Sequence, residues 1–314
     1  MAQKDIYISV VIPAYNEEQN IAKLCAGLKK VLESLKKSYE IIFIDDGSTD
    51  NTFKNLENLQ KKEEKIKIIK FRKNFGQTAA LDAGFKFAKG NIIIAMDADL
   101  QDDPKEIPKF LEKLNEGYDF ICAWRYKRKD SFSKKLFSKL ASLLRKLVTG
   151  KIVHDSGCTF KAYRKECLED LNLFGEMHRY IPYLLIWNGF NFAEVKVKHH
   201  KRKYGKTKYN TKRLFKGFLD LLVIKFWMQY SSRPAHLFGG FGLISGFFGF
   251  LIGLYLISLK LFFGQSIGNR PLLLLVALFI IVGVQFFMFG LLADIMIKNY
   301  YKKEGPYKIE KVLG

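Results

Sequence analysis

The chain has 314 residues, and its 52 Lys and Arg against 31 Asp and Glu give a formal net charge of +21. Such an excess points to nucleic acid, an anionic membrane or phosphorylated substrates; with no RNP-like, zinc-finger or basic-zipper pattern present, nucleic acid is set aside as a partner. Cys25, Cys122, Cys158 and Cys167 show no CxxC spacing, which excludes a disulfide framework and reads as free thiols in a reducing compartment.

The N-terminal apolar run is too short for a signal peptide, so the first part of the chain is expected to stay in the cytosol. Residues 6–13 (IYISVVIP) read as a β-branched strand, followed by a helical pattern over Asn20–Lys37. Tyr39–Ile44 is a second strand that runs into Asp45-Asp46-Gly47-Ser48-Thr49-Asp50 and a polar helix. Lys65–Phe71 is a third strand, Thr78–Ala88 a helix and Asn91–Met96 a fourth strand ending at Asp97-Ala98-Asp99, before Pro104 restarts a helix. Strands alternating with helices imply βαβ units and a mostly parallel sheet. Ligands of such sheets bind beyond the carboxyl ends of the strands, where each of these acidic clusters falls.

A dinucleotide-binding domain would need G-x-G-x-x-G after the first strand. The chain has Pro13-Ala14-Tyr15-Asn16-Glu17-Glu18 there, with no glycine, so nicotinamide and flavin binding are excluded. Asp97 and Asp99 flank one small residue after a buried strand, and alternate residues of an extended segment point the same way. Two hard oxygen ligands so disposed suit Mg²⁺ or Mn²⁺ on a diphosphate. His178, His199 and His200 lack paired-ligand spacing, which argues against zinc.

Towards the C-terminus, Leu237–Leu259 is an uncharged run of 23 residues, and Pro271–Ile297 is a second apolar run with Gln285 inside it and Asp294 near its end. At about 1.5 Å per residue each is long enough to cross a hydrocarbon core of roughly 30 Å. Lys216, Lys225 and Arg233 precede the first run, and Lys298, Lys302, Lys303, Lys308 and Lys311 follow the second. This bias places both termini in the cytosol. Gly239, Gly242, Gly246, Gly249 and Gly253 fall on one helix face, a surface for close packing against the second run or another subunit. Ser133–Val148 and Thr211–Tyr230 are basic and amphipathic, as helices lying in the headgroup plane are. The expected division is a catalytic domain over 1–210, a juxtamembrane helix over 211–235, two spans over 236–298 and a basic tail over 299–314.

VVIPAYNEE, IIFIDDGSTDNT, RKNFGQTAALDAGF and IIIAMDADLQDDP, in this order, resemble family 2 glycosyltransferases of the GT-A fold. HDSGCTFKAYR, GEMHRYIP, RKYGKTKY and the two-span tail extend the resemblance to the polyprenyl-phosphate glycosyltransferases. The resemblance implies transfer of a hexose from UDP- or GDP-hexose to undecaprenyl or dolichyl phosphate, with inversion, at the cytosolic face of a membrane. It implies a nucleotide-sugar pocket from Pro13, Tyr15, Glu17, Asp46, Gln77, Asp97 and Ala98, and a metal site from Asp97, Asp99 and Gln101. Arg125, Lys134, Ser138, Arg202 and Lys208 match positions that hold the acceptor phosphate, with Lys206 nearby. Asp155, Asp99 and Arg202 match the catalytic positions; for Asp155, a base, a metal neighbour and an acceptor for a sugar hydroxyl all stay open. A homo-oligomer is expected from the glycine face and from the resemblance. Gln229–Pro234 lacks the Q-x-x-R-W of processive polysaccharide synthases, and the retained acidic and basic positions argue against a silent scaffold.

Overall fold

The computed structural model describes residues 6–125, 153–169, 171, 173, 175–200, 226, 230, 233–268 and 271–300. Lys134, Ser138, Arg202, Lys206 and Lys208 lie outside them, as do the stretch 133–148, most of 211–230 and the tail from 301. The chain divides into two compact units, Met1–Leu221 and Leu222–Gly314.

The first unit is built on seven strands: β1 (Ile8–Ala14), β2 (Tyr39–Asp45), β3 (Ile66–Lys70), β4 (Ile92–Ala95), β5 (Phe120–Arg125), β6 (Lys161–Arg164) and β7 (Phe192–Val197). They form one sheet in the order β3-β2-β1-β4-β6-β5-β7. The pairs β1–β2, β2–β3, β1–β4 and β5–β7 are parallel, and β6 runs antiparallel to both β4 and β5. This is the mostly parallel sheet expected from the alternating pattern. The four strands and intervening helices read from the sequence are present, each within about three residues of its expected bounds.

β1 and β2 are covered on both faces, which is why they read as near-continuous apolar runs. In α1 (Ile21–Ser34), Ile21, Leu24, Cys25, Leu28 and Leu32 form one buried stripe, the spacing that a 3.6-residue period lays along one face. α2 (Thr52–Gln60) follows β2, and α3 (Gln77–Phe87) packs close to the sheet at Gly84. A Cβ on Gly84 would lie 2.3 Å from Val11 Cγ1 and 2.8 Å from Ile44 Cδ1. α4 (Ile107–Asn115) buries Ile107, Phe110, Leu111 and Leu114, with Phe110 edge-on to Phe160 at 4.6 Å. The register pairs Ala14 with Asp45 and Val11 with Ala95, bringing the carboxyl ends of β1, β2 and β4 to one side of the sheet.

The second unit contains two 30-residue helices, Pro234–Phe263 and Pro271–Tyr300. By length and composition Pro234–Phe263 and Pro271–Ile297 are able to cross a membrane. Their outward side chains are large and apolar, with Phe262 82% and Leu274 77% exposed, an arrangement that water penalises and lipid does not. The glycine face meets the second helix of the same chain. A Cβ on Gly242 would come within 2.7 Å of the Gly283 carbonyl, and one on Gly283 within 2.9 Å of the Gly242 carbonyl. Ser245 Oγ donates to the Phe279 carbonyl at 2.8 Å beside this contact. The choice that the sequence left open therefore falls on the partner helix.

Candidate active site

Three loops at the carboxyl ends of β1, β2 and β3 are laced together. Asn16, at φ 56°, accepts from Thr49 N at 2.8 Å through Oδ1 and donates its own N–H to Ser48 Oγ at 3.0 Å. Glu17 N donates to Thr52 Oγ1 at 2.8 Å, and Glu18 Oε2 accepts from both Asn51 N and Asn51 Nδ2 at 3.0 Å. The Glu17 side chain accepts from Asn20 at 2.5 Å, while its carbonyl receives the first amides of α1. Pro13 and Tyr15 are half-buried at the same rim.

Asp46 reaches the third loop. Its two carboxylate oxygens accept from Phe75 N at 2.7 Å and Gly76 N at 2.9 Å, and the residue is buried. Burial pushes its carboxyl upward, against the pull of those two amides. Gly47 makes the approach possible: at φ +69° it lies so close to the third loop that a Cβ would be 2.4 Å from Lys73 C. Asp46 thus fixes the entrance to α3, a role that sequence spacing did not disclose. Asp45 is fully buried, with Oδ2 lacking a hydrogen-bond partner.

At the end of β4, Asp97 Oδ1 accepts from Gln77 Nε2 at 2.7 Å, and the same amide donates to Thr159 Oγ1 at 2.9 Å. Gln77, the first residue of α3, thereby spans from the acidic loop to the segment before β6. Desolvation raises the Asp97 carboxyl to about 7, assisted by the charges of Asp102 and Asp99 and opposed by Thr159 and Arg125. Asp99 and Ala98 are buried; Asp99 Oδ1 accepts from Gln101 N at 3.1 Å across Leu100, whose φ is 62°. The Gln101 side chain turns to the chain beyond β7, donating to the His200 carbonyl at 3.2 Å, and His200 N donates back to the Gln101 carbonyl at 2.8 Å. Asp102 and His199 form a bridge beside it, with Asp102 Oδ1 and His199 Nδ1 buried, 3.7 Å apart and unsatisfied.

Arg125, the last residue of β5, meets Asp155 in a bidentate pair, Nε to Oδ2 at 2.5 Å and Nη2 to Oδ1 at 2.8 Å. Their side chains are only 14% and 11% exposed. The contact with Asp155 raises the guanidinium pKa beyond its usual range although burial opposes it. Two of five guanidinium N–H groups are engaged in the pair, leaving others able to meet a phosphate. The neighbouring residues repeat the link: His154 stacks on Trp124 at 4.1 Å and its Nδ1 lies 2.5 Å from Glu194 Oε2. Thr78 Oγ1 is 2.6 Å from His178 Nδ1 in a buried contact that anchors the segment 177–179 to α3.

Sequence reasoning missed Thr159, Lys161, Glu194 and the Asp102–His199 bridge. Thr159 and Lys161 stand inside the HDSGCTFKAYR segment, whose order was visible but whose contacts were not.

The residues present suit a divalent cation only in part. Among the described residues, no three His, Cys, Asp or Glu side chains converge to hold a metal by themselves. Asp97, Asp99 and the unsatisfied Asp102 Oδ1 nevertheless gather carboxylate oxygens in the loop after β4. This fits an ion that takes its remaining ligands from a diphosphate.

The family model for Glycosyl transferase family 2 matches residues 9–171. Dodecaprenyl-phosphate galacturonate synthase of Rhizobium johnstonii is 38% identical over 306 residues, 96% of this chain and 90% of that protein. Undecaprenyl-phosphate 4-deoxy-4-formamido-L-arabinose transferase of Proteus mirabilis is 35% identical over 311 residues, 98% of this chain and 94% of that one. Among solved structures, glucosyl-3-phosphoglycerate synthase from Mycobacterium tuberculosis, in complex with Mn²⁺, UDP and glucosyl-3-phosphoglycerate, superimposes with a TM-score of 0.54 at 18% identity, covering 70% of this chain and 80% of that chain. The last likeness shows the GT-A fold. With the family model covering more than half of its length and two relatives aligned nearly end to end, the chain belongs to glycosyl transferase family 2 and is a glycosyltransferase.

Proposed function

We propose that the chain transfers a sugar, a hexose or hexose derivative, from a nucleoside diphosphate to a polyprenyl phosphate at the cytosolic face of a membrane. The observation that carries this reading is the extent of the similarity: it covers 96% of the chain, apolar helices included, in a relative named for a dodecaprenyl-phosphate product. The Proteus relative is named for an undecaprenyl-phosphate acceptor and a different sugar. The sugar is therefore the variable part of the reaction and the lipid phosphate its shared part. UDP is the preferred donor nucleotide, and undecaprenyl or dolichyl phosphate the acceptor.

The site chemistry supports the reading. A lipid phosphate is already anionic near neutral pH, so its attack needs held charge more than a strong base. Arg125 supplies a half-buried guanidinium whose orientation Asp155 fixes, and guanidinium groups match phosphate oxygens. Pro13, Tyr15, Glu17 and Gln77 line the donor side, with Asp46 holding the loop that leads to Gln77. Asp97 and Asp99, with Gln101 beside them, would hold Mg²⁺ or Mn²⁺, which when bound offsets charge on the departing nucleoside diphosphate. With no covalent nucleophile assigned, one in-line displacement and inversion at the anomeric carbon follow. Lys134, Ser138, Arg202 and Lys208 belong to the acceptor side of the proposal. The glycine face packs on the second helix of the same chain, and the homo-oligomer part of the proposal rests on the resemblance.

The deciding assay presents UDP- and GDP-sugars to undecaprenyl and dolichyl phosphate with Mn²⁺, Mg²⁺ or EDTA. The expected result is metal-dependent label in the lipid phase from one donor. Donor hydrolysis without lipid labelling would overturn the acceptor assignment.

A further inference from the structure

Lys161 is one of the most deeply buried side chains of the molecule, at 2% exposure. Its position in the sheet is fixed from both sides: it pairs with Ala95 of β4 and with Cys122 of β5. Those strands lead to Asp97 and Arg125 respectively. Among the described residues no carboxylate forms an ion pair with it. Its ammonium instead donates to two backbone carbonyls, that of Ser156 at 3.1 Å and that of Cys158. Both belong to the turn that presents Asp155, which Cys158 N closes by donating to the Asp155 carbonyl at 3.2 Å.

Enclosing an ammonium without a counter-ion is costly, and a methionine of similar length would fill the same space without that cost. A side chain that forgoes the cheaper solution is explained by what its charge holds. From this we infer that Lys161 is a positioning residue for the transfer reaction: rooted between β4 and β5, it pins the 155–158 turn so that Asp155 meets Arg125 in register. The line of contacts runs from sheet to ammonium, from ammonium to the Ser156 and Cys158 carbonyls, and from that turn through Asp155 to the guanidinium. The polar contacts of Lys161 are with the Ser156 and Cys158 carbonyls. It acts through Asp155, and it rests on the reading of Arg125 and Asp155 as part of the acceptor side.

The test compares wild type, Lys161→Met, Asp155→Asn and the double variant, each as the full chain in lipid nanodiscs. Lys161→Met is expected to keep the donor KM within about twofold. Its kcat falls roughly tenfold or more, the scale of loss that a small misplacement of a reacting group brings. Hydrogen exchange should rise in the peptide covering 154–159 while the peptides of β1 and β2 stay protected. In the Asp155→Asn background the further loss from Lys161→Met should shrink to less than about threefold, because residues acting through one another are not additive. Independent, multiplying losses would overturn the inference, as would unchanged exchange in 154–159 or a rise across the whole domain. If Lys161→Met does not fold, Lys161→Gln, which keeps a donor but loses the charge, is judged by the same measurements. Should the wild type label no polyprenyl phosphate, the acceptor reading fails, while the exchange data still decide whether Lys161 pins the turn.

Discussion

Asp97 gives the sharpest test of the metal site, because its carboxyl titrates where the reaction would run. Burial first, then the charges of Asp102 and Asp99, raise it from 3.8 to about 7. A divalent ion binds the carboxylate, so ion and proton compete for the same oxygens. With a midpoint near 7, about nine-tenths of the groups are ionised at pH 8 and about one-tenth at pH 6, so the apparent Mn²⁺ dissociation constant should weaken roughly tenfold, or about 1.4 kcal/mol, between them. The metal-free protein should show the matching stability trend. A carboxyl raised on folding contributes stability that is complete below the unfolded value of 3.8 and is lost as the pH rises through 7. Mn²⁺ should therefore raise the melting temperature more at pH 8 than at pH 6. Free Mn²⁺ counted by electron paramagnetic resonance over the full-length protein at pH 6, 7 and 8 measures the first effect. Asp97→Asn should bind weakly at every pH. A wild-type affinity that stays flat from pH 6 to 8 would refute the assignment of Asp97 as a metal ligand with this environment.

Asp155→Ala strands a guanidinium that is 14% exposed and should cost roughly 3 kcal/mol in denaturant or thermal unfolding, the lower end for a broken buried pair; an unchanged melting temperature would remove the pair from the structural argument. Gly47→Ala drives a Cβ to 2.4 Å from Lys73 C at a left-handed backbone position, so about 2 kcal/mol of lost stability is expected. A raised donor KM should accompany it as the loop held by Asp46 shifts. Gly283→Val should lower the thermal stability of the hairpin in detergent, followed by circular dichroism, whereas Gly240→Val, where a Cβ meets nothing within 4 Å, should not. Cys122, buried and with its thiol pushed up to about 12 by desolvation, should resist iodoacetamide at pH 8 in the native chain and react after unfolding.

How much of this was legible before the structure depended on whether the signal was local. β1, β2 and β4 announce themselves because strands buried on both faces become runs such as VVI, IIF and III. Each ends at the acidic cluster that a parallel sheet places on its ligand side. β6 gives no such signal. Its four residues KAYR carry a buried lysine and a half-buried arginine, the reverse of what composition leads one to expect inside a sheet. Lys161 is legible only once the two carbonyls it holds are known, and the Asp102–His199 bridge joins positions 97 residues apart in sequence. Asp46 shows a subtler limit: the resemblance implies a place for it in the nucleotide pocket, yet both of its oxygens serve backbone amides of another loop.

The hairpin teaches the same lesson from the opposite side. The five glycines of the first helix marked a contact face without naming its partner. Gly283 and Gly290, seven residues apart and so on one face of the second helix, are the complementary signal. A Cβ on Gly290 would lie 3.2 Å from Ala235 Cα, and one on Gly283 would run into Gly242 and Gly246. Two glycine-bearing faces of matched spacing within one chain, joined by a short connection, meet each other more readily than they meet a second molecule, because the link holds their effective concentration high. The contacts of Gly242 and Gly249 with the second helix put the glycine face inside the hairpin.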